Sequence, residues 1–139
     1  PVIPFARVLS AYEETAASAV IVVEKVPRED VSRYGIVKPA GEIGGGFPID
    51  DLVEKPATEA APSNYAIAGR YAFDPVIFDY IERTPRGANG EYQITDSIRL
   101  LLSDAHSVWC VALGDGEIRR DIGTFDSYFE ALRVYCWPS

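Results

Sequence analysis

The chain has no methionine, a single histidine and only two cysteines. Cys110 and Cys136 form neither a disulfide framework nor a metal-ligand spacing. A reduced, cytoplasmic setting is therefore the default expectation. Neither cysteine has a basic neighbour in sequence that would make it a nucleophile. His106 stands alone and reads as a surface or helix-end residue. Long apolar runs are missing too. The longest, Ala19 to Val23, is far too short to span a bilayer, and no signal peptide is visible. Basic residues are scarce, 13 against 21 acidic, for a formal charge of −8. Arg28, Arg33, Lys38 and the Arg119-Arg120 pair are too scattered for a nucleic-acid surface. Without methionine there is no initiator, so the expectation is a piece of a longer protein, with a processed small protein as the alternative.

What is present suits one globular domain, or part of one, of 139 residues. Phe5, Val8, Leu9 and Tyr12 make a helical stripe. Ser18 to Val26 reads as a buried strand and Tyr34 to Val37 as a second, ended by Lys38-Pro39. Gly41 to Gly46 lies between two strands and so reads as a hairpin turn rather than a phosphate cradle. The next strand, Phe47 to Val53, is stopped by Pro56. A loop from Pro56 to Ser63 precedes a strand over Tyr65 to Phe73. Asp74 as N-cap and Pro75 at the first helical position predict a helix with Ile77, Phe78 and Ile81 inward. Tyr92 to Asp104 is a further helix, with Ile94, Ile98, Leu101 and Leu102 on one side. Ser107 to Leu113 is a strand, and a tight turn at Gly114-Asp115-Gly116 leads into an exposed strand over Glu117 to Ile122. Thr124 caps a last helix carrying Phe125, Tyr128, Phe129 and Leu132. Alternating strands and helices place the chain in the α/β class.

Val53-Glu54-Lys55-Pro56 is the most informative stretch. Neighbours on a strand point to opposite faces, so Glu54 and Lys55 are expected to split. One accepts hydrogen bonds from hydroxyls; the other offers a point charge to a phosphate. A solvated strand end is the plain alternative. Other residues read plainly: Asn64 organises its loop, Gly90-Glu91 and Thr95-Asp96 start a helix, and Trp109 and Trp137 pack. Asp50 and Asp51 point apart and share no proton.

Five stretches stand in order: Tyr34-Gly35-Ile36-Val37, Val53-Glu54-Lys55-Pro56, Ser63 to Tyr71 (Ser-Asn-Tyr-Ala-Ile-Ala-Gly-Arg-Tyr), Gly90 to Asp96 (Gly-Glu-Tyr-Gln-Ile-Thr-Asp) and Arg120-Asp121-Ile122-Gly123. Together they resemble the C-terminal half of the bacterial UTP–glucose-1-phosphate uridylyltransferases, pyrophosphorylases of the nucleotidyltransferase superfamily. The resemblance covers essentially the whole chain. It implies the C-terminal part of a Rossmann-like nucleotidyltransferase fold, a mixed sheet flanked by helices, with residues 1–139 as one sugar-phosphate-binding unit. The family's G-x-G-x-R nucleotide signature would precede Pro1, so the chain is expected to be inactive alone.

In that family a sugar-1-phosphate oxygen attacks the α-phosphorus of UTP, forming UDP-glucose and releasing pyrophosphate. Such chemistry rests on positioning and charge stabilisation. The resemblance implies that Glu54 accepts hydrogen bonds from hexose hydroxyls and Lys55 pairs with the sugar phosphate. Gly35 would admit the sugar against the backbone, and Tyr71 would edge the pocket. Asp121 would bind Mg2+, although a carboxylate there also suits a helix N-terminus. The expected partners are glucose-1-phosphate or UDP-glucose. A stand-alone binding or assembly module that has lost catalysis is the competing reading. Half of a doubly wound sheet would also expose a strand edge and an apolar helix face, which predicts self-association or a rearranged edge.

Overall fold

Valine and isoleucine dominate the run after Ser18, and β-branched side chains suit a strand buried on both faces. In the computed structural model, which describes residues 4–87, 90–120 and 122–136, this run is β1 (Ala19–Lys25), buried along its first five residues. β2 (Gly35–Pro39) and β3 (Gly46–Glu54) form the expected antiparallel hairpin around the glycine-rich turn. β4 (Tyr65–Phe73) runs antiparallel to β1, and β5 (Val108–Ala112) runs parallel to it. β2 meets β4 through the pair Ile36–Ala66, and β3 meets β5 from Gly46 to Pro48. The order β1-β4-β2-β3-β5 then returns to β1.

The fold is thus the expected mixed α/β architecture, but no strand of this circuit is left as an edge. The predicted exposed sheet edge is not observed, because β3 curls far enough to pair with β5. Closure is one of the ways a sheet disposes of its edges.

Helices lie on both sides. α1 (Pro4–Thr15) seats Val8 against Val20, Val22 and Val111, while Phe5 and Leu9 of the predicted stripe stay about half exposed. On the other side, α3 (Ile94–Ser103) inserts Ile98 and Leu101, both fully buried, among Ile21, Val37, Phe47 and Leu52. α2 (Ile77–Arg83) packs beside it. α2 starts later than predicted, at Ile77 with Val76 as N-cap and no side-chain cap. Asp74 Oδ1 accepts the Val76 N–H at 2.9 Å in the turn before it. The face of α2 also differs from the prediction. Ile77 and Tyr80 point inward, whereas Phe78 and Ile81 face solvent. Tyr80 wins the inner position because its ring packs in the core while its hydroxyl reaches Asp104 at 3.0 Å.

Two further expectations change. The strand predicted over residues 117–122 is not formed among its described residues. Both sides of β1 are already paired, so this segment is held by side chains instead: Glu117 by Arg7, and Arg119 by Glu24. The last helix, α4 (Phe125–Cys136), starts as predicted. Thr124 Oγ1 accepts from Ser127 N at 3.2 Å, and Ser127 Oγ accepts from Thr124 N at 3.1 Å, a reciprocal cap. Yet α4 has no buried residue, and Phe125, Phe129 and Tyr135 are mostly exposed. No helix among the described residues is long and apolar enough to cross a membrane.

The histidine and cysteine expectations can be placed as well. His106 Nδ1 lies 2.9 Å from Ser18 Oγ, at the helix-end position expected. Burial pushes the Cys110 thiol far above its usual pKa, so it packs as an apolar group. Asn64 does organise its loop: its Nδ2 donates to Val26 O at 3.0 Å, and its own carbonyl accepts from Val26 N at 3.0 Å.

One glycine tests the barrel closure. A Cβ on Gly46 would stand 2.6 Å from Trp109 Nε1, whereas one on Gly45 would meet nothing within 4 Å. Gly46→Ala is therefore expected to destabilise by about 1–3 kcal/mol through overpacking. Gly45→Ala should stay within about 0.5 kcal/mol of the parent, as surface changes do. Urea midpoints of the two variants decide it; equal midpoints would mean that Trp109 yields freely.

Candidate functional site

Gly35 pairs with Glu54 across the β2–β3 ladder, and three side chains converge on it. A Cβ there would lie 3.0 Å from Glu54 Oε2, 3.0 Å from Thr95 Cγ2 and 3.1 Å from Ile67 Cδ1. Only a residue without a side chain lets β3, β4 and α3 meet at this point. Beside the junction is a cavity of about 450 Å³ that Gly35, Glu54, Tyr71 and Thr95 line together.

Two polar groups in its wall are unsatisfied. The Glu54 carboxylate is half-buried, and no hydrogen bond or ion pair holds it among the described residues. Thr95 is only 5% exposed, and its Oγ1 has no partner among the described residues. Buried polar atoms are nearly always paired, so an orphan hydroxyl on a residue of the cavity wall marks this place. Tyr71 completes the polar set. Burial, and then the nearby Glu54 carboxylate, raise its phenol above the usual pKa, so it stays a neutral O–H donor. A free carboxylate acceptor and two hydroxyls can read several hydroxyl groups of a ligand.

The strand that carries Tyr71 is irregular for a reason. Ile21 pairs with Tyr71 and Val23 with Ile67, so β4 advances four residues while β1 advances two. Gly69 absorbs the excess at φ +68°, a left-handed value glycine adopts readily. The bulge suspends strand alternation, and consecutive residues from Ile67 to Tyr71 all reach the cavity wall.

The predicted residues separate into three groups. Gly35, Glu54 and Tyr71 are brought together. Lys55 is not: it is exposed and absent from the cavity wall. It parts from Glu54 not by strand alternation but because the backbone turns left-handed after β3, at φ +46° for Lys55. Asp121 lies outside the described residues. Among the described residues, no cluster of three His, Cys, Asp or Glu side chains is placed to hold a metal ion. The cavity's described carboxylate is Glu54 alone, so these residues by themselves do not make a magnesium site.

Three contributors were missed from the sequence. Thr95 and Gln93 were read as part of a helix start, but α3 begins at Ile94 without a side-chain cap, which leaves Thr95 free to face inward. Arg70 reaches the wall only through the bulge.

A second groove, of about 540 Å³, includes Asp51, Asp96 and Arg99. One of its carboxylates is satisfied: Asp51 Oδ1 accepts from Arg99 Nε at 3.0 Å and from Leu52 N at 2.8 Å.

Residues 3–136 match the model of the nucleotidyl transferase family. The chain belongs to that family. Among curated relatives, the UTP–glucose-1-phosphate uridylyltransferase of Staphylococcus epidermidis is 44% identical over 97 residues, covering 70% of this chain and 33% of that protein. The enzyme of the same name from Streptococcus pyogenes is 47% identical over 96 residues, covering 68% and 31%. This nucleotidyl transferase chain thus spans about a third of the length of the curated relatives it matches. Solved structures agree on the fold. A UDP-glucose pyrophosphorylase complexed with UDP-glucose superposes with a TM-score of 0.83 at 34% identity, covering 94% of this chain and 48% of that one. A UTP-bound enzyme from Acinetobacter baumannii superposes at 0.81 and 34%, covering 95% and 44%.

Proposed function

We propose that this chain is the sugar-phosphate-binding portion of a UTP–glucose-1-phosphate uridylyltransferase, its C-terminal half, and that it needs a nucleotide-binding half for turnover. The carrying observation is the cavity at Gly35, whose wall includes Glu54 and Thr95, neither side chain having a hydrogen-bond partner among the described residues. Glu54 accepts from hexose hydroxyls, Thr95 and Tyr71 exchange hydrogen bonds with the same ring, and Gly35 lets the ring approach the backbone. The identities of the relatives and of the UDP-glucose-bound neighbour support glucose-1-phosphate and UDP-glucose as ligands. Holding the sugar rigidly converts the attack on UTP into an intramolecular step, which is where positioning earns its rate. A magnesium ion at the reacting phosphates would require ligands beyond the described residues.

Calorimetric titration of the chain with glucose-1-phosphate and with UDP-glucose tests this. Saturable binding of both is expected; heat of dilution alone for both would sink the reading. Turnover of UTP and glucose-1-phosphate by this chain alone would refute the need for a second half. Thr95→Val supplies a sharper check, since the two side chains have nearly the same shape. Removing an unsatisfied buried hydroxyl should stabilise the free chain by about 1 kcal/mol. The same change should weaken sugar binding by roughly tenfold, the worth of one lost hydrogen bond. A purely structural threonine would move neither quantity in that pattern.

A further inference from the structure

Among the described α-helices, α4 alone buries no residue. At 3.6 residues per turn, Phe125, Phe129, Leu132 and Cys136 fall along one stripe, in steps of four, three and four residues. That spacing is the seam of a coiled coil. Phe125 and Phe129 are 84% and 64% exposed, Cys136 is exposed and Leu132 partly so. Ser127 and Ala131, which the rest of the chain partly covers, lie on the far side of the helix, so the seam points outward. A contiguous apolar stripe of this kind marks a contact surface.

The flanks of the seam indicate what covers it. Asp126 and Arg133 stand on one flank, one heptad apart, and Tyr128 and Tyr135 on the other. Neither Asp126 nor Arg133 has a hydrogen-bond or ion-pair partner among the described residues. With a second α4 turned end for end against the first, Phe125 meets Cys136 of the second copy and Phe129 meets its Leu132. The two-fold axis repeats both contacts. In the same alignment Asp126 faces Arg133 of the second copy, twice over, and the tyrosines face each other. A parallel pairing would instead set Arg133 against Tyr128. The helix is therefore complementary to itself in charge and in apolar register, in the antiparallel sense.

We propose that α4 pairs antiparallel with α4 of a second copy of this chain, forming a two-fold homodimer through the helix face rather than through a strand edge. This stands independently of the sugar-phosphate reading. Covering two phenylalanines and the edges of two tyrosines buries about 400–600 Å² per copy, the low end for a specific interface. A reversible dimer with a roughly micromolar dissociation constant is expected.

Sedimentation equilibrium of the 139-residue chain across the micromolar range tests this and should show monomer and dimer in exchange. Phe129→Glu should weaken the dimer by roughly tenfold or more. It should leave the thermal midpoint of the monomer nearly unchanged, because the ring is exposed. Asp126→Arg and Arg133→Asp should each weaken the dimer by several-fold, and the two together should restore it. Helix stability alone predicts the reverse, since the double reversal opposes the helix dipole at both ends. Phe125→Cys reads the orientation. With Cys136 of the second copy opposite it, oxidation by diamide should link the chains. In the parent, the two Cys136 side chains stand about 16 Å apart along the paired helices, beyond disulfide reach, and Cys110 is buried, so the parent should stay unlinked. A chain that remains monomeric throughout the range overturns the proposal and leaves the stripe to a different partner. A dimer that Phe129→Glu leaves intact, or a double reversal weaker than either single one, overturns it too. A parent that crosslinks through Cys136 would make the pair parallel and refute the antiparallel register.

Discussion

Glu54→Ala should weaken glucose-1-phosphate binding by roughly 100-fold while leaving the thermal midpoint nearly unchanged. The size follows from what the carboxylate does. It is the charged acceptor at the cavity, half-buried, and no partner among the described residues competes for it. A hydrogen bond to a charged group contributes about 1.5–3 kcal/mol, and a hexose offers it at least two hydroxyls. Stability is spared because no hydrogen bond within the described residues is lost. Glu54→Gln keeps the shape and one acceptor oxygen, so an intermediate affinity is expected. Calorimetry with glucose-1-phosphate beside a melting curve separates the two effects. An alanine variant within threefold of the parent would remove Glu54 from the site.

Gly35→Val should damage binding and stability together. Even one added carbon would stand 3.0 Å from both Glu54 Oε2 and Thr95 Cγ2, and a branched side chain adds two more atoms to that junction. Overpacking of this kind costs about 1–3 kcal/mol. The neighbours forced aside are the proposed binding groups themselves, so sugar affinity should fall below detection. Gly35→Ala, with ordinary backbone angles and a single methyl, should show a smaller loss of both. A valine variant that melts and binds like the parent would mean that the three elements do not meet tightly at Gly35.

Many features were legible in the sequence because they depend on near neighbours. The Val-Ile run of β1, the glycine turn of the β2–β3 hairpin, and the Ile98 and Leu101 face of α3 all follow from local periodicity. So does the Thr124 cap of α4. The differences arise where distant segments compete. On α2, Phe78 and Tyr80 are both apolar enough for the inner face, and Asp104 decided between them by accepting the tyrosine hydroxyl. The apolar stripe of α4 predicts a buried face, but the described residues supply nothing to bury it against. Residues 117–120 have strand-like composition, yet β1 has no free side to offer them. Thr95 was legible as a motif residue but not as a wall of the cavity, because its direction depends on where α3 begins. Arg70 was hidden by the two-residue excess in β4, which no single strand reveals.

By itself, the sequence determined most of the elements and their order, the family, and three residues, Gly35, Glu54 and Tyr71, that line one cavity. These are carried by side-chain type and spacing, which act over a few residues. The tertiary structure alone decided barrel closure, the turn that takes Lys55 away from Glu54, and the bulge in β4 that puts consecutive residues on the cavity wall. Each depends on register between strands far apart in the chain, and register is set by the pairing of whole segments rather than by any one of them.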